Sequence, residues 1–143
     1  MWSHYSNLHK GICIRLDCKK FKAFIENDCP KDDNIIVWDK AEYLDEYPEL
    51  NPFELSDYDQ IMKSLLIKSS IWKYEEEIRF ILFSYSNKVL TIPNGIIDQI
   101  ILGCKISLKD RQDLINFAKT KNIKVVQAFR KEKDFGLGFQ KIS

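Results

Sequence analysis

Hydrophobic positions along this 143-residue chain change period several times, and each change predicts an element. In ICIRLD, Ile12, Ile14 and Leu16 alternate with Cys13, Arg15 and Asp17, the period of two of a half-buried strand. Ahead of it, Met1 to Lys10 reads as one or two helical turns, with Gly11 as the residue that ends them. Phe21, Phe24 and Ile25 fall at helical spacing between Lys19 and Asn27, before Cys29-Pro30. NIIVWD, Asn34 to Asp39, is a second β-branched run bounded by Asp-rich turns.

Between residues 40 and 53 the pattern dissolves into KAEYLDEYPELNPF, where Pro48 and Pro52 limit regular helix. This reads as a mobile surface connection. Ser56, with Asp59 three residues on, opens a helix whose apolar stripe is Tyr58, Ile61, Met62, Leu65 and Leu66. EEIRFILFS predicts a buried strand, KVLTIP its hairpin partner across Tyr85 to Asn87, and DQIILG a third strand. Ser107 caps an amphipathic helix running to Lys121, with Leu108, Leu114, Ile115 and Ala118 inward. IKVVQAF and GFQKI complete the strands, and Gly136-Leu137-Gly138 reads as a turn. Strands and helices mix without a clean βαβ alternation, so the expectation is one α+β domain over residues 1–143, a mixed or largely antiparallel sheet flanked by helices.

Charge and composition narrow the function classes. Lys and Arg number 22 against 21 Asp and Glu, and a net charge of +1 gives no general electrostatic case for nucleic acid or an anionic membrane. No apolar run approaches the ~20 residues of a membrane span. Cys13, Cys18, Cys29 and Cys104 form no CxxC pair and no regular framework, so free, mostly buried thiols in a cytoplasmic protein are expected.

The densest candidate chemistry is IWKYEEEIRF, Ile71 to Phe80. On a strand, Glu75, Glu77 and Arg79 share one face, with the carboxylates about 7 Å apart. Their repulsion is then about 2.4 kcal/mol at an effective dielectric near 20, enough to split their pKa values into an acid and a base. Arg79 would oppose that split or anchor an anionic substrate group. On a helix, Glu75 and Arg79 are instead an ordinary i,i+4 pair, and a charged cluster at a strand mouth is often a solvated end. Trp72 and Tyr74 suit packing as well as ligand stacking. His4 and His9 lie five apart and share no helix face, so no metal site is expected, while Tyr5 and His9 are close enough to touch.

The opening MWSHYSNLHKGICIRLD resembles the hallmark of a bacterial family known as domain of unknown function 2971, roughly "MWsHYa-x-x-HxGicigFd". KSSIWKYEEEIR resembles its second block, "K-x-x-x-W-x-YExEwR", with Ile78 in place of an aromatic residue. IIDQIILGCKIS resembles its third, a strand ending in "IxlG", and Arg15-Leu16 stands where the family favours a small-aromatic pair. Members usually carry a preceding portion with "lYKY" and "fNDPfE" segments. The resemblance therefore implies the C-terminal portion of a longer family domain: a shortened copy, a split gene or a misassigned start. A shortened start further implies an exposed apolar strip beside residues 1–9, open to self-association.

The family's order of elements is also similar to ADP-ribosyltransferase folds, whose late-strand glutamate in an ExE setting holds the ribose hydroxyl of NAD. That analogy implies Glu77 in this role beside Glu75, with His4 or Tyr5 lining the nicotinamide side and Arg79, Trp2, His9, Trp72 and Tyr74 around the substrate. NAD is a cofactor under that reading alone. Two functions stay open: a non-catalytic or activity-impaired binding module, and an NAD-using transferase or glycohydrolase.

Overall fold

The computed structural model describes residues 6–28, 36–49, 53, 57–82, 89–134 and 136–142. The expectations that involve Trp2, His4, Tyr5, Cys29, the Ser56 cap and the Tyr85 to Asn87 turn lie outside them. The fold is α+β, and the chain forms two compact units: Met1–Cys29 with Leu90–Ser143, and Pro30–Val89.

The first unit is built on a four-stranded sheet. Its strands are β1 (Ile12–Leu16), β6 (Ile97–Leu102), β7 (Lys124–Arg130) and β8 (Leu137–Lys141), side by side in that order. β1 and β8 run antiparallel to their neighbours, while β6 and β7 are parallel. The crossover between β6 and β7 is the long helix α3 (Leu108–Lys121), so one βαβ unit sits inside the mixed sheet where the sequence showed no alternation. Ile100, Leu102, Val125, Ile115 and Ala118 form the core between sheet and helix. The Ser107 hydroxyl accepts from the Asp110 N–H at 3.1 Å, as the cap requires. Asn122 ends the helix in the left-handed region at φ 53°, which Asn tolerates.

Two inward assignments in this unit change. Leu108 is 85% exposed, because the core reaches the helix only at Leu114 and Ile115, about two turns further in. Ile14 is half exposed because β1 is an edge strand with only one neighbour. Helix α1 (Cys18–Asn27) matches its pattern: Asp17 Oδ1 accepts from the Lys19 and Lys20 N–H groups, and Phe21 and Ile25 are buried. Cys13, Cys18 and Cys104 are free, but Cys13 and Cys18 are exposed rather than buried, since both lie on or beside the edge strand.

Residues 6–11 are not a helical turn ended by glycine. Asn7, Leu8 and His9 all have positive φ, at 47°, 54° and 69°, whereas Gly11 does not. The turn is fastened instead to the end of β6: the Gly103 N–H donates to Gly11 O and the Lys105 N–H to His9 O, each at 2.9 Å. A Cβ on Gly103 would collide with the His9 carbonyl, so the glycine that ends "IILG" is required by the turn carrying "HKG". Gly138 lies within β8 rather than in a turn. The Phe129 ring of β7, its cross-strand partner, occupies the space a Cβ would fill.

The second unit contains β2 (Ile36–Lys40), β3 (Glu42–Leu44), α2 (Asp57–Leu66), β4 (Ile67–Ser69), a 3₁₀ helix (Ser70–Glu75) and β5 (Ile78–Leu82). β5 pairs antiparallel with β2, and the described part of its expected hairpin partner, residues 89–93, carries no strand. The Trp38 and Phe80 rings meet edge-on across that pair, with centroids 5.6 Å apart. Part of the expected loop is a strand, since β3 runs parallel to β4 with Tyr43 opposite Lys68. Among the described residues of this unit, Ala41 is the one buried hydrophobic residue.

Candidate functional site

The stretch that drew attention as a strand or a helix is neither throughout. Ser70–Glu75 forms a 3₁₀ helix, Glu76 turns the chain through the left-handed region at φ 47° and ψ 46°, and the strand starts at Ile78. Glu75 and Glu77 therefore do not share a strand face, nor do Glu75 and Arg79 form a helical pair. The reversal at Glu76 brings both carboxylates to one ammonium instead. Lys68 Nζ, carried in by the β3–β4 pairing, donates to Glu75 Oε2 and, at 2.8 Å, to Glu77 Oε2.

Arg79 closes the other side. Its Nε donates to Glu77 Oε1 at 2.9 Å, and its Nη1 donates to the carbonyls of Leu65 and Ile67, which lie where α2 runs into β4. The Glu77 N–H donates to the Tyr43 hydroxyl at 2.8 Å. Trp72 lies under Lys68, whose Nζ is 5.6 Å from the ring centroid, and the Tyr74 ring is tilted beside it at 6.0 Å. The Glu75 side chain is 5% exposed and that of Lys68 16%, so these charges interact in a partly dry environment.

Electrostatics follow from that geometry. The Arg79 guanidinium, then the Lys68 ammonium, hold the Glu77 carboxyl below the ordinary glutamate range, and together they outweigh the desolvation that pushes it up. Glu77 is an anion at neutral pH, with each oxygen already accepting from a cation. It also borders a cleft of ≈ 480 Å³ lined by Lys40, Ala41, Tyr43, Lys73, Glu76 and Ile78.

Of the other residues singled out in the sequence, His9 sits in the left-handed turn of the first unit. Its Nδ1 is buried without a hydrogen-bond partner among the described residues. Sequence reasoning passed over Lys68 and Tyr43. Lys68 is the opening residue of the block KSSIWKYEEEIR and was visible there, but nothing local signals that Tyr43 reaches Glu77 from 34 residues away. Among the described residues, no three acidic, Cys or His side chains are placed to hold a metal ion.

Residues 1–80 match the model of the family described as Protein of unknown function (DUF2971). The match covers more than half of the chain, which belongs to that family. It contains the MWSHYSNLHKG and KSSIWKYEEEIR blocks and ends before IIDQIILGCKIS. Neither the curated proteins nor the solved structures contain a match. No helix among the described residues is long and apolar enough to cross a membrane.

Proposed function

We propose that this chain is a non-catalytic binding or interaction module in which Glu77 is a structural carboxylate. The observation that carries this reading is the clamp on Glu77: Lys68 and Arg79 occupy both of its oxygens and hold it ionised. A glutamate that must accept a ribose hydroxyl would have to give up one of these charge-assisted bonds first. Arg79, with its Nε and Nη1 engaged inside the protein, is likewise poorly placed to capture a substrate anion.

The second reading, an enzyme resembling NAD-dependent ADP-ribosyltransferases or NAD glycohydrolases, draws on the cleft that Glu77 borders. Under it Glu77 is the key carboxylate, with Glu75 and Arg79 beside it. Nicotinamide release from NAD separates the two. The module reading expects no release above buffer, and release that disappears in Glu77→Gln while the variant stays folded would overturn it. Leu8 and Ile14, 61% and 50% exposed, support self-association through the N-terminal segment of the first unit. Light scattering that shows a monomer at all concentrations would end that part of the proposal.

A further inference from the structure

A second cleft, of ≈ 520 Å³, lies in the first unit, where the carboxyl ends of the parallel strands β6 and β7 face the start of α3. Its lining includes Lys105, Arg111 and Arg130 and no acidic residue. Most described cations of this unit that meet a carboxylate do so at its surface: Arg15 with Asp98, Lys20 with Asp17, Lys22 with Glu26 and Lys131 with Asp134. The three in the cleft differ. Arg111 Nε donates to the neutral amide of Gln127 at 3.3 Å, and Gln127 is itself fixed by donating to Gly103 O at 2.8 Å. Lys105 and Arg130 have no ion pair among the described residues. Three like charges around one concavity repel one another, and a bound anion relieves that repulsion.

Beside these cations stands Phe129, seated on Gly138 and still 45% exposed. The glycine lets the ring settle on the strand, which leaves an aromatic surface at the edge of the basic cleft. Lys105 is held by the backbone bond from its N–H to His9 O, so the left-handed turn at residues 7–9 positions one of the three cations. The end of α3 is not the attraction, because its cap is already filled by Ser107, whose hydroxyl also donates to Asp110.

We propose that this cleft binds a nucleoside monophosphate: Arg111, Arg130 and Lys105 take the phosphate oxygens, and the base stacks on Phe129. Guanidinium groups match phosphate oxygens in a fork, and bases of any sequence stack on an aromatic face. The volume falls within the usual range for small-molecule sites. The inference goes beyond the reading of Glu77 and does not depend on it, since a nucleotide bound here need not be cleaved.

The test is a titration of the full, isotope-labelled chain with AMP, adenosine and inorganic phosphate, followed by amide resonances. AMP is expected to shift residues 103–106 and 127–130 saturably, and to bind about tenfold more tightly than either fragment. Arg130→Gln, at an exposed position, and Phe129→Ala should each weaken AMP about tenfold or more. Lys131→Gln and Glu77→Gln should leave it unchanged, the latter separating this cleft from the Glu77 cluster. Three results overturn the proposal: no saturable shift, AMP affinity unaltered by both Arg130→Gln and Lys105→Gln, or a single-stranded oligonucleotide binding far more tightly than AMP.

Discussion

Leu102, Val125 and Ala118 in the first unit, and Lys68, Glu75 and Glu77 in the second, are held in place by opposite physics. The first three are 0% exposed and sit in an apolar cluster shared by two strands and a helix. The second three are partly buried charges held by directional bonds from a short strand, a 3₁₀ turn and a loop residue. Apolar burial is non-directional and adds up with area, so it tolerates modest rearrangement. A charge cluster stabilises only when every member is present, because a single removal leaves an uncompensated charge in a low dielectric.

The contrast can be broken most sharply from the apolar side. Leu102→Ala should cost about 3–4 kcal/mol through lost burial and the cavity left behind, measured by denaturant unfolding. Hydrogen exchange should then accelerate in β6, β7 and α3. Lys68→Met should cost about 3 kcal/mol, since Glu75 and Glu77 both lose the Lys68 ammonium. Here the two regions diverge: Lys68→Met combined with Glu75→Leu should recover much of the loss, because an apolar pair can replace an ion pair but not half of one. A double variant no more stable than Lys68→Met alone would contradict the account of the second unit.

Acidification should distinguish the units next. Glu77 has its pKa depressed in the folded state, so its contribution is fully present above the unfolded value of ~4.3. That contribution is lost as pH falls through the folded value. Protection from exchange, taken relative to the intrinsic rate at each pH, is expected to fall on acidification in β5 and the 3₁₀ helix before it falls in β6 and β7. The smallest effect belongs to Glu76→Gly. Its left-handed φ of 47° strains a residue with a Cβ, so glycine should change stability by no more than about 1 kcal/mol, in the stabilising direction. A thermal scan reads that sign.

Much of the fold was legible where a repeating pattern met a strong local signal. Ser107 announced its helix by cap chemistry, and Phe21 and Ile25 marked a buried face by spacing, while the Asp17 cap emerged only in the structure. The strands β6 and β7 carry the short, largely β-branched cores IIL and VV that marked them as strands. The candidate site was legible only in part. Glu75, Glu77 and Arg79 were found from their clustering, but their geometry was misread, because a single left-handed residue at Glu76 breaks any periodic extrapolation through it.

What the sequence determined by itself is therefore the local vocabulary: element types, caps, the family blocks and the identities of the charged residues. The tertiary structure decided the pairings. It set β5 against β2, and brought Tyr43 to Glu77 from 34 residues away and Lys68 from nine, across the turn at Glu76. It also placed Gly103 under His9 and grouped Lys105, Arg111 and Arg130 around one cleft. The reason is physical. Propensity and capping act within a few residues of the chain, whereas register, charge pairing and steric fit are settled between segments whose separation no local pattern encodes.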